Sequence, residues 1–168
     1  PGKQLEEVKA GIQNKLDIVN GLNDHRNARP EIKGMAAENA VELMDIRAPK
    51  KLQELHFWTG KIFQINTPVI AVIGTDCALG KRTTARLIMN ARNEAGLHKE
   101  MIYTGQTGWL QGGNYGLVFD STLTDFVSGE LEHAFLPCNE AEKQDVIVLE
   151  GQSALRKPSG PCGSELLI

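Results

Sequence analysis

Val69-Ile70-Ala71-Val72-Ile73, an unbroken apolar run, leads straight into Gly74-Thr75-Asp76-Cys77-Ala78-Leu79-Gly80-Lys81-Arg82-Thr83-Thr84. The run reads as a buried strand, the glycine-bounded segment as a loop, and Thr83 to Ala95 as a helix. In that order they form the context of a phosphate-binding loop. Amide N–H groups of the loop and of the first helical turn converge on one spot. The helix dipole adds roughly half a positive charge there, and Lys81 adds a whole one. A plain strand–turn–helix connection would account for the glycines but not for Lys81 and the threonine pair.

The spacing departs from the common pattern, which has four residues between the first glycine and the Gly-Lys pair and then Ser or Thr. Here five residues separate Gly74 from Gly80, and Arg82 stands where a magnesium-binding hydroxyl normally sits. Thr83 and Thr84 follow, so a hydroxyl is displaced by one residue. Arg82 therefore favours phosphate binding over magnesium-assisted nucleotide hydrolysis. The long loop resembles that of dethiobiotin-synthetase-like P-loop proteins, which also carry Gly-Thr-Asp ahead of Gly-Lys.

With 168 residues, 41% of them hydrophobic, the chain can bury a real core. A net charge of −3 gives no general reason to expect nucleic acid or an anionic membrane as partner. No apolar run is long enough to span a bilayer, and Pro1-Gly2-Lys3-Gln4-Leu5-Glu6-Glu7 does not look like a signal peptide. Cys77, Cys138 and Cys162 are odd in number and lack metal-ligand spacing, so reduced thiols in a cytoplasmic protein are expected, without a zinc site.

Leu5, Val8, Ile12, Leu16, Val19 and Leu22 recur at helical spacing and predict one amphipathic helix ending near Gly21. Pro30 starts a second helix through Asn39, and Val41 to Ile46 alternates as a strand. Residues 1–49 thus read as the C-terminal part of a Rossmann-like domain, and residues 50–68 as a connection. Residues 69–168 read as a P-loop NTPase-like domain with an incomplete parallel sheet. The overall class is α/β. Within the second domain a strand at Glu100 to Tyr103 delivers Thr104-Gly105-Gln106-Thr107-Gly108-Trp109. A helix spans Leu123 to Phe135, capped by Asp120 or Ser121. A last strand, Asp145 to Leu149, ends in Glu150-Gly151-Gln152. Ligands of open α/β sheets bind beyond the carboxyl ends of parallel strands. The three polar loops therefore open on one site.

Glycines 105, 108, 112, 113 and 116 exceed what one turn requires and permit close backbone approach to a ligand. Trp109 and Tyr115 either stack on a base or cap the core. Asp145 is the exposed start of a strand. Glu150, an acid closing a buried strand beside a phosphate loop, occupies the Walker B location. It serves a metal, acts as general base, or caps a helix. His25, His56, His98 and His133 share no motif, and His133 is expected to complement a helix C-terminus.

The loop 74–84, then Thr104-Gly105-Gln106-Thr107-Gly108, then Glu150-Gly151-Gln152-Ser153-Ala154-Leu155 with Pro158 resemble the DgcN-like family. Asp17-Ile18-Val19-Asn20-Gly21-Leu22 extends the likeness towards the N-terminus. That family has a Rossmann-like N-terminal domain and a P-loop C-terminal domain. The resemblance implies N-acetylation of D-glutamate with acetyl-coenzyme A. Under it Gly74, Gly80, Lys81, Thr83 and Thr84 hold coenzyme phosphates, Arg82 a second phosphate, and Thr75 and Asp76 belong to the same cofactor-binding loop. Gly105, Gln106, Thr107 and Gly108 also face the cofactor and offer amides to an oxyanion. Glu150 is the candidate base and Lys81 the second catalytic residue, while Gln152, Arg156 and Lys157 face the substrate. Two departures stand out. Lys157-Pro158 replaces the family's His-Pro, and the chain is shorter than the two-domain pattern, starting inside the first domain and stopping after the third strand. A small-molecule substrate and a homo-oligomer, in which a partner copy helps, are expected. The alternatives are an ATP- and magnesium-dependent ligase or kinase-like enzyme, with Thr83 and Glu150 at the metal, and a nucleotide-binding module without turnover.

Overall fold

The computed structural model describes residues 2–94, 96–141, 144–156 and 162–167, the side chains of 92–94 excepted. The chain divides into two compact units, Pro1–Ala48 and Pro49–Ile168.

The first unit runs α1 (Gly2–Gln13), β1 (Ile18–Asn20), α2 (Pro30–Glu38) and β2 (Leu43–Asp45). The two strands are parallel, with Ile18 opposite Leu43 and Asn20 opposite Asp45. Ile12, Ile32, Ala36 and Val41 form its buried centre, and Pro30 sits in the first turn of α2, where its missing N–H costs nothing. A single helix reaching Gly21 is not what forms. The helix stops at Gln13 and Lys15 turns the chain with φ 58. Leu16, Val19 and Leu22 keep helical spacing by coincidence, since all three are exposed while Ile18 and Asn20 turn inward as alternate residues of a strand.

The second unit runs β3 (Val69–Val72), α3 (Lys81–Glu94), β4 (Lys99–Tyr103), α4 (Gln106–Leu110), β5 (Tyr115–Gly116), α5 (Val127–Ala141) and β6 (Val146–Glu150). Its sheet has the order β3-β6-β4-β5 and every pairing is parallel. Ile147 and Leu149 pack with Leu131, Phe135 and Cys138 of α5 on one face. Val148 packs with Met101 and with Ala85 of α3 on the other. Strands covered on both faces carry continuous apolar runs, which is why β3 and β6 stand out in the sequence. The expected α/β class with parallel sheets is the class observed.

Three local readings change. The helix expected from Leu123 begins at Val127, after two 3-10 turns at Phe119–Ser121 and Thr124–Phe126, and continues through Pro137 to Ala141. The glycine-rich stretch after Tyr103 contains α4 and β5, where a loop was expected. His133 is consequently interior to α5 and does not cap it. Its ring stacks on that of His56, with centroids 3.5 Å apart. The predicted end of α3 at Ala95 lies outside the described residues.

Residues 50–68, expected as a connection, are fastened to α5. The buried Glu130 carboxylate accepts from the amide of His56 at 2.9 Å and from Lys50 Nζ at 2.5 Å, and lies 2.8 Å from His56 Nδ1. Glu132 accepts from the amides of Thr59 at 2.6 Å and Ile62 at 3.0 Å. Gly129 makes this approach possible, since a Cβ there would meet His56 O at 2.0 Å. Burial pushes the Glu130 and Glu132 carboxyls up, but these hydrogen bonds outweigh it and hold both below the usual glutamate range. Carboxylates depressed in the folded state contribute stability above their unfolded pKa and lose it as pH falls through the folded one. Unfolding free energy should therefore fall on acidification, with Glu130→Gln lower at neutral pH by about 1–3 kcal/mol and flatter on the acid limb. A Gln variant that tracks the wild-type melting profile at every pH would show the clasp to be inert.

Candidate active site

Insertion of β6 between β3 and β4 brings the ends of all three strands together. The Gly151 amide donates to Val72 O at 2.9 Å and the Leu155 amide to Gly74 O at 3.1 Å, tying the segment after β6 to the end of β3. Thr104, fully buried, donates its hydroxyl to Glu150 O at 2.8 Å and ties in β4. Gly151 allows the closeness, because a Cβ would stand 2.2 Å from Val72 O.

The loop after β3 turns through Ala78 (φ 57) and Gly80 (φ 86) and enters α3, whose first turn closes with the Thr84 amide on Gly80 O at 2.8 Å. Lys81 folds back over the loop, its Nζ donating to Asp76 O at 2.6 Å. Its stem passes 3.5 Å from where a Cβ on Gly74 would be. Asp76 takes the Cys77 amide on its own Oδ1 at 2.7 Å. The N-terminus of α3 opens on a cavity of about 300 Å³, lined on one side by the loop and helix start (Gly80, Lys81, Arg82 and Thr83 among them) and on the other by residues 150–153. Backbone amides, a dipole end and a lysine meet there, which is the composition of an anion site.

Across that cavity Glu150 is 1% exposed. Its Oε1 lies 2.8 Å from Arg82 Nε as an ion pair, and its Oε2 has no hydrogen-bond partner. Burial pushes the carboxyl above its usual range, and Arg82, the Thr104 backbone and Lys81 only partly offset that. Gly108 leaves room for this arrangement, since a Cβ would fall 2.2 Å from Tyr103 Cβ and 3.1 Å from Glu150 Oε2.

The structure thus gathers Gly80, Lys81, Arg82, Thr83, Glu150 and Gln152 around one space, with Gly74 directly beneath Lys81. Thr75, Asp76 and Thr84 are exposed beside it. Gly105 joins from the start of α4, its Cβ position 3.5 Å from Gln152 Oε1 and 3.6 Å from Arg82 Nη2. Gln106 and Thr107 open α4, but the Gly108 amide already donates to Gly105 O at 3.0 Å and is not free for an oxyanion. Arg156 is exposed and does not line the cavity, and Lys157 and Pro158 lie outside the described residues. Trp109 is half-exposed and Tyr115 packs against the core. Two participants were missed. Ser153 lines the cavity with φ 57, 7% exposure and an unpartnered hydroxyl. Asp120, read as a cap, instead receives Gln152 Nε2 at 3.3 Å. A larger groove of about 390 Å³ beside β3 is lined by apolar side chains such as Phe63, Phe135 and Leu167 and holds no titratable group. No helix among the described residues is long and apolar enough to cross a membrane.

Comparison with known proteins agrees with this layout. Residues 56–168 match the family model described as Domain of unknown function (DUF1611_C) P-loop domain. Residues 1–49 match that of the DUF1611_N Rossmann-like domain. A protein of Pseudoalteromonas named D-glutamate N-acetyltransferase is 31% identical over 157 residues, covering 94% of this chain and 45% of the relative. One of Tritonibacter scottomollicae with the same name is 31% identical over 159 residues, covering 92% and 45%. The chain therefore spans less than half the length of these relatives. The crystal structure of a DUF1611 family protein from Anabaena variabilis superposes with a TM-score of 0.85 at 25% identity, over 99% of this chain and 47% of that one. By its two domain matches and its fold, the chain belongs to the DUF1611 family, with a Rossmann-like N-terminal and a P-loop C-terminal domain.

Proposed function

We propose that this chain carries the coenzyme-binding and proton-accepting part of an N-acetyltransferase, which moves the acetyl group of acetyl-coenzyme A to the amino nitrogen of an amino acid such as D-glutamate. The observation that carries this reading is a buried carboxylate with one unpartnered oxygen, Glu150, lining the same cavity as Lys81 and the start of α3. The names of the two relatives supply the acyl-transfer chemistry and the acceptor.

An amino acid reaches the site as an ammonium, which has no lone pair. Glu150 takes a proton from it, and burial makes this carboxylate a stronger base than one in water. The freed nitrogen attacks the thioester carbonyl. The N–C bond forms, the C–S bond breaks, and coenzyme A leaves as a thiolate that takes up the second proton shed by the nitrogen. Lys81, Gly74, Gly80, Thr83 and Thr84 hold the coenzyme's phosphates through charge, amides and hydroxyls. The amides of Gln106 and Thr107 are the oxyanion donors left once Gly108 is engaged. Gln152, which lines the cavity, serves the acceptor.

Lys81→Ala should weaken acetyl-coenzyme A binding at least tenfold in calorimetry, about 1.4 kcal/mol; unchanged affinity would remove the loop from coenzyme binding. Glu150→Gln should lower kcat by roughly 10²–10⁴ while the KM for acetyl-coenzyme A moves little. In the wild type kcat should climb with pH through a value above the ordinary carboxylate range, because the base works only once deprotonated, and the Gln variant should lack that limb. A Gln variant with wild-type kcat would mean the proton goes elsewhere.

A further inference from the structure

The P-loop fold implies a magnesium ion, held in nucleotide-hydrolysing members by the hydroxyl after the loop lysine and by an acid at the end of a neighbouring strand. In this chain those two positions are Arg82 and Glu150, and they form an ion pair with each other at 2.8 Å. The first cannot ligate a cation, because a guanidinium has no lone pair to give and stays protonated. The second has one oxygen committed to that guanidinium. Thr83 offers a hydroxyl to the same cavity, but a magnesium ion between it and Glu150 would have to share the space with the fixed positive charges of Arg82 and Lys81. Magnesium demands near-ideal octahedral oxygen geometry and keeps most of its water. The residues present do not fit it.

We infer that Arg82 takes the place of the metal, so that this site binds phosphorylated ligands without a divalent cation and selects diphosphate esters over magnesium-chelated triphosphates. Three observations beyond the sequence spacing support this. The arginine is positioned by Glu150 and lines the cavity at the first turn of α3, with Nη2 3.6 Å from the Cβ position of Gly105. The Ser153 hydroxyl, more than nine-tenths buried and without a partner, lines the same cavity as a further donor for an anion's oxygens. Among the described residues the only carboxylate lining the cavity is the one Arg82 neutralises, so Lys81 and the helix end leave a net positive place for the ligand. A planar guanidinium grips two phosphate oxygens at once, which is the geometry a diphosphate presents.

The inference deepens the coenzyme reading and rests on the loop being an anion site, but it is separable from acetyl transfer. Calorimetry would titrate coenzyme A and dephospho-coenzyme A, disubstituted diphosphates that chelate magnesium only weakly, into the protein, once in EDTA and once in excess magnesium. Affinity should be equal within roughly twofold in the two buffers, and Arg82→Ala should lose at least tenfold in EDTA, about 1.4 kcal/mol. Arg82→Lys, which keeps the charge but not the fork, should fall between. Unaltered melting curves, or a wild-type response to a ligand bound elsewhere, would distinguish loss of a contact from loss of fold. Should Arg82→Ala unfold, the wild-type comparison in the two buffers decides alone. Magnesium raising wild-type affinity tenfold, or failure of both probes to bind, would overturn the inference. Metal-free binding without any acetyl transfer would leave it standing and remove the transferase reading instead.

Discussion

A carboxylate taken out of water must be paired or neutralised, and Glu150 is the point where the second unit meets that requirement. It ends a strand with both neighbours in place, so solvent cannot reach it from the sides, and its backbone carbonyl is already occupied by Thr104. The remaining direction is toward the first turn of α3, and the residue that turn supplies is Arg82. The pair therefore sets the relation between the phosphate loop and the central strand. Gly108 and Gly151 follow from the same demand. Each stands where a methyl group would collide, with Tyr103 in one case and the end of β3 in the other. An ion pair of this kind is weak as a source of stability, since desolvation cancels much of the attraction. Its importance is positional.

The parts of this site readable from sequence were those with a strong local signal. The apolar run of β3, the glycine-bounded loop and the lysine announce one another within a dozen residues, and an acid closing the apolar run of β6 is equally local. What sequence could not supply was the order of strands. That β6 lies between β3 and β4 depends on pairings between residues some fifty to eighty positions apart, such as Ala71 with Leu149 and Met101 with Val148. Without that order, Arg82 is merely an odd residue after a lysine and Glu150 merely a strand end. The spacing of Leu16, Val19 and Leu22 misled for the opposite reason. A local pattern was present, but Lys15 in the left-handed region had already ended the helix that the pattern seemed to extend. In the stretch holding α4 and β5, the glycines that mark close packing also mimic a loop.

Ser153 illustrates a signal that was visible but unread. Its motif, Glu150 to Leu155, was recognised as a unit, yet a serine in a polar turn carries no local sign of burial. Only the turn at φ 57, folding it back beside the cavity, makes its hydroxyl notable. Arg156, which carries the charge a carboxylate substrate would want, is by contrast left exposed.

Three glutamates are buried to nearly the same degree among the described residues, Glu130 and Glu132 at 2% exposure and Glu150 at 1%. Desolvation acts on all three in the same direction, raising the pKa. They diverge in what answers it. Glu130 and Glu132 receive backbone amides from the segment before β3, and Glu130 a lysine as well, so both are held below the usual glutamate range. Such acids are structural, since protonation would release the segment they hold. Glu150 has Arg82 on Oε1, only a lesser contribution from the Thr104 backbone, and no hydrogen-bond partner on Oε2, and burial prevails. Neither burial nor residue type separates the two kinds. The separation lies in the number of donors, because a fully satisfied carboxylate has no capacity for a proton from elsewhere, whereas one left half-satisfied beside a cavity does. The shortfall at Oε2 is thus the physical distinction between an acid that fastens the fold and one equipped for chemistry.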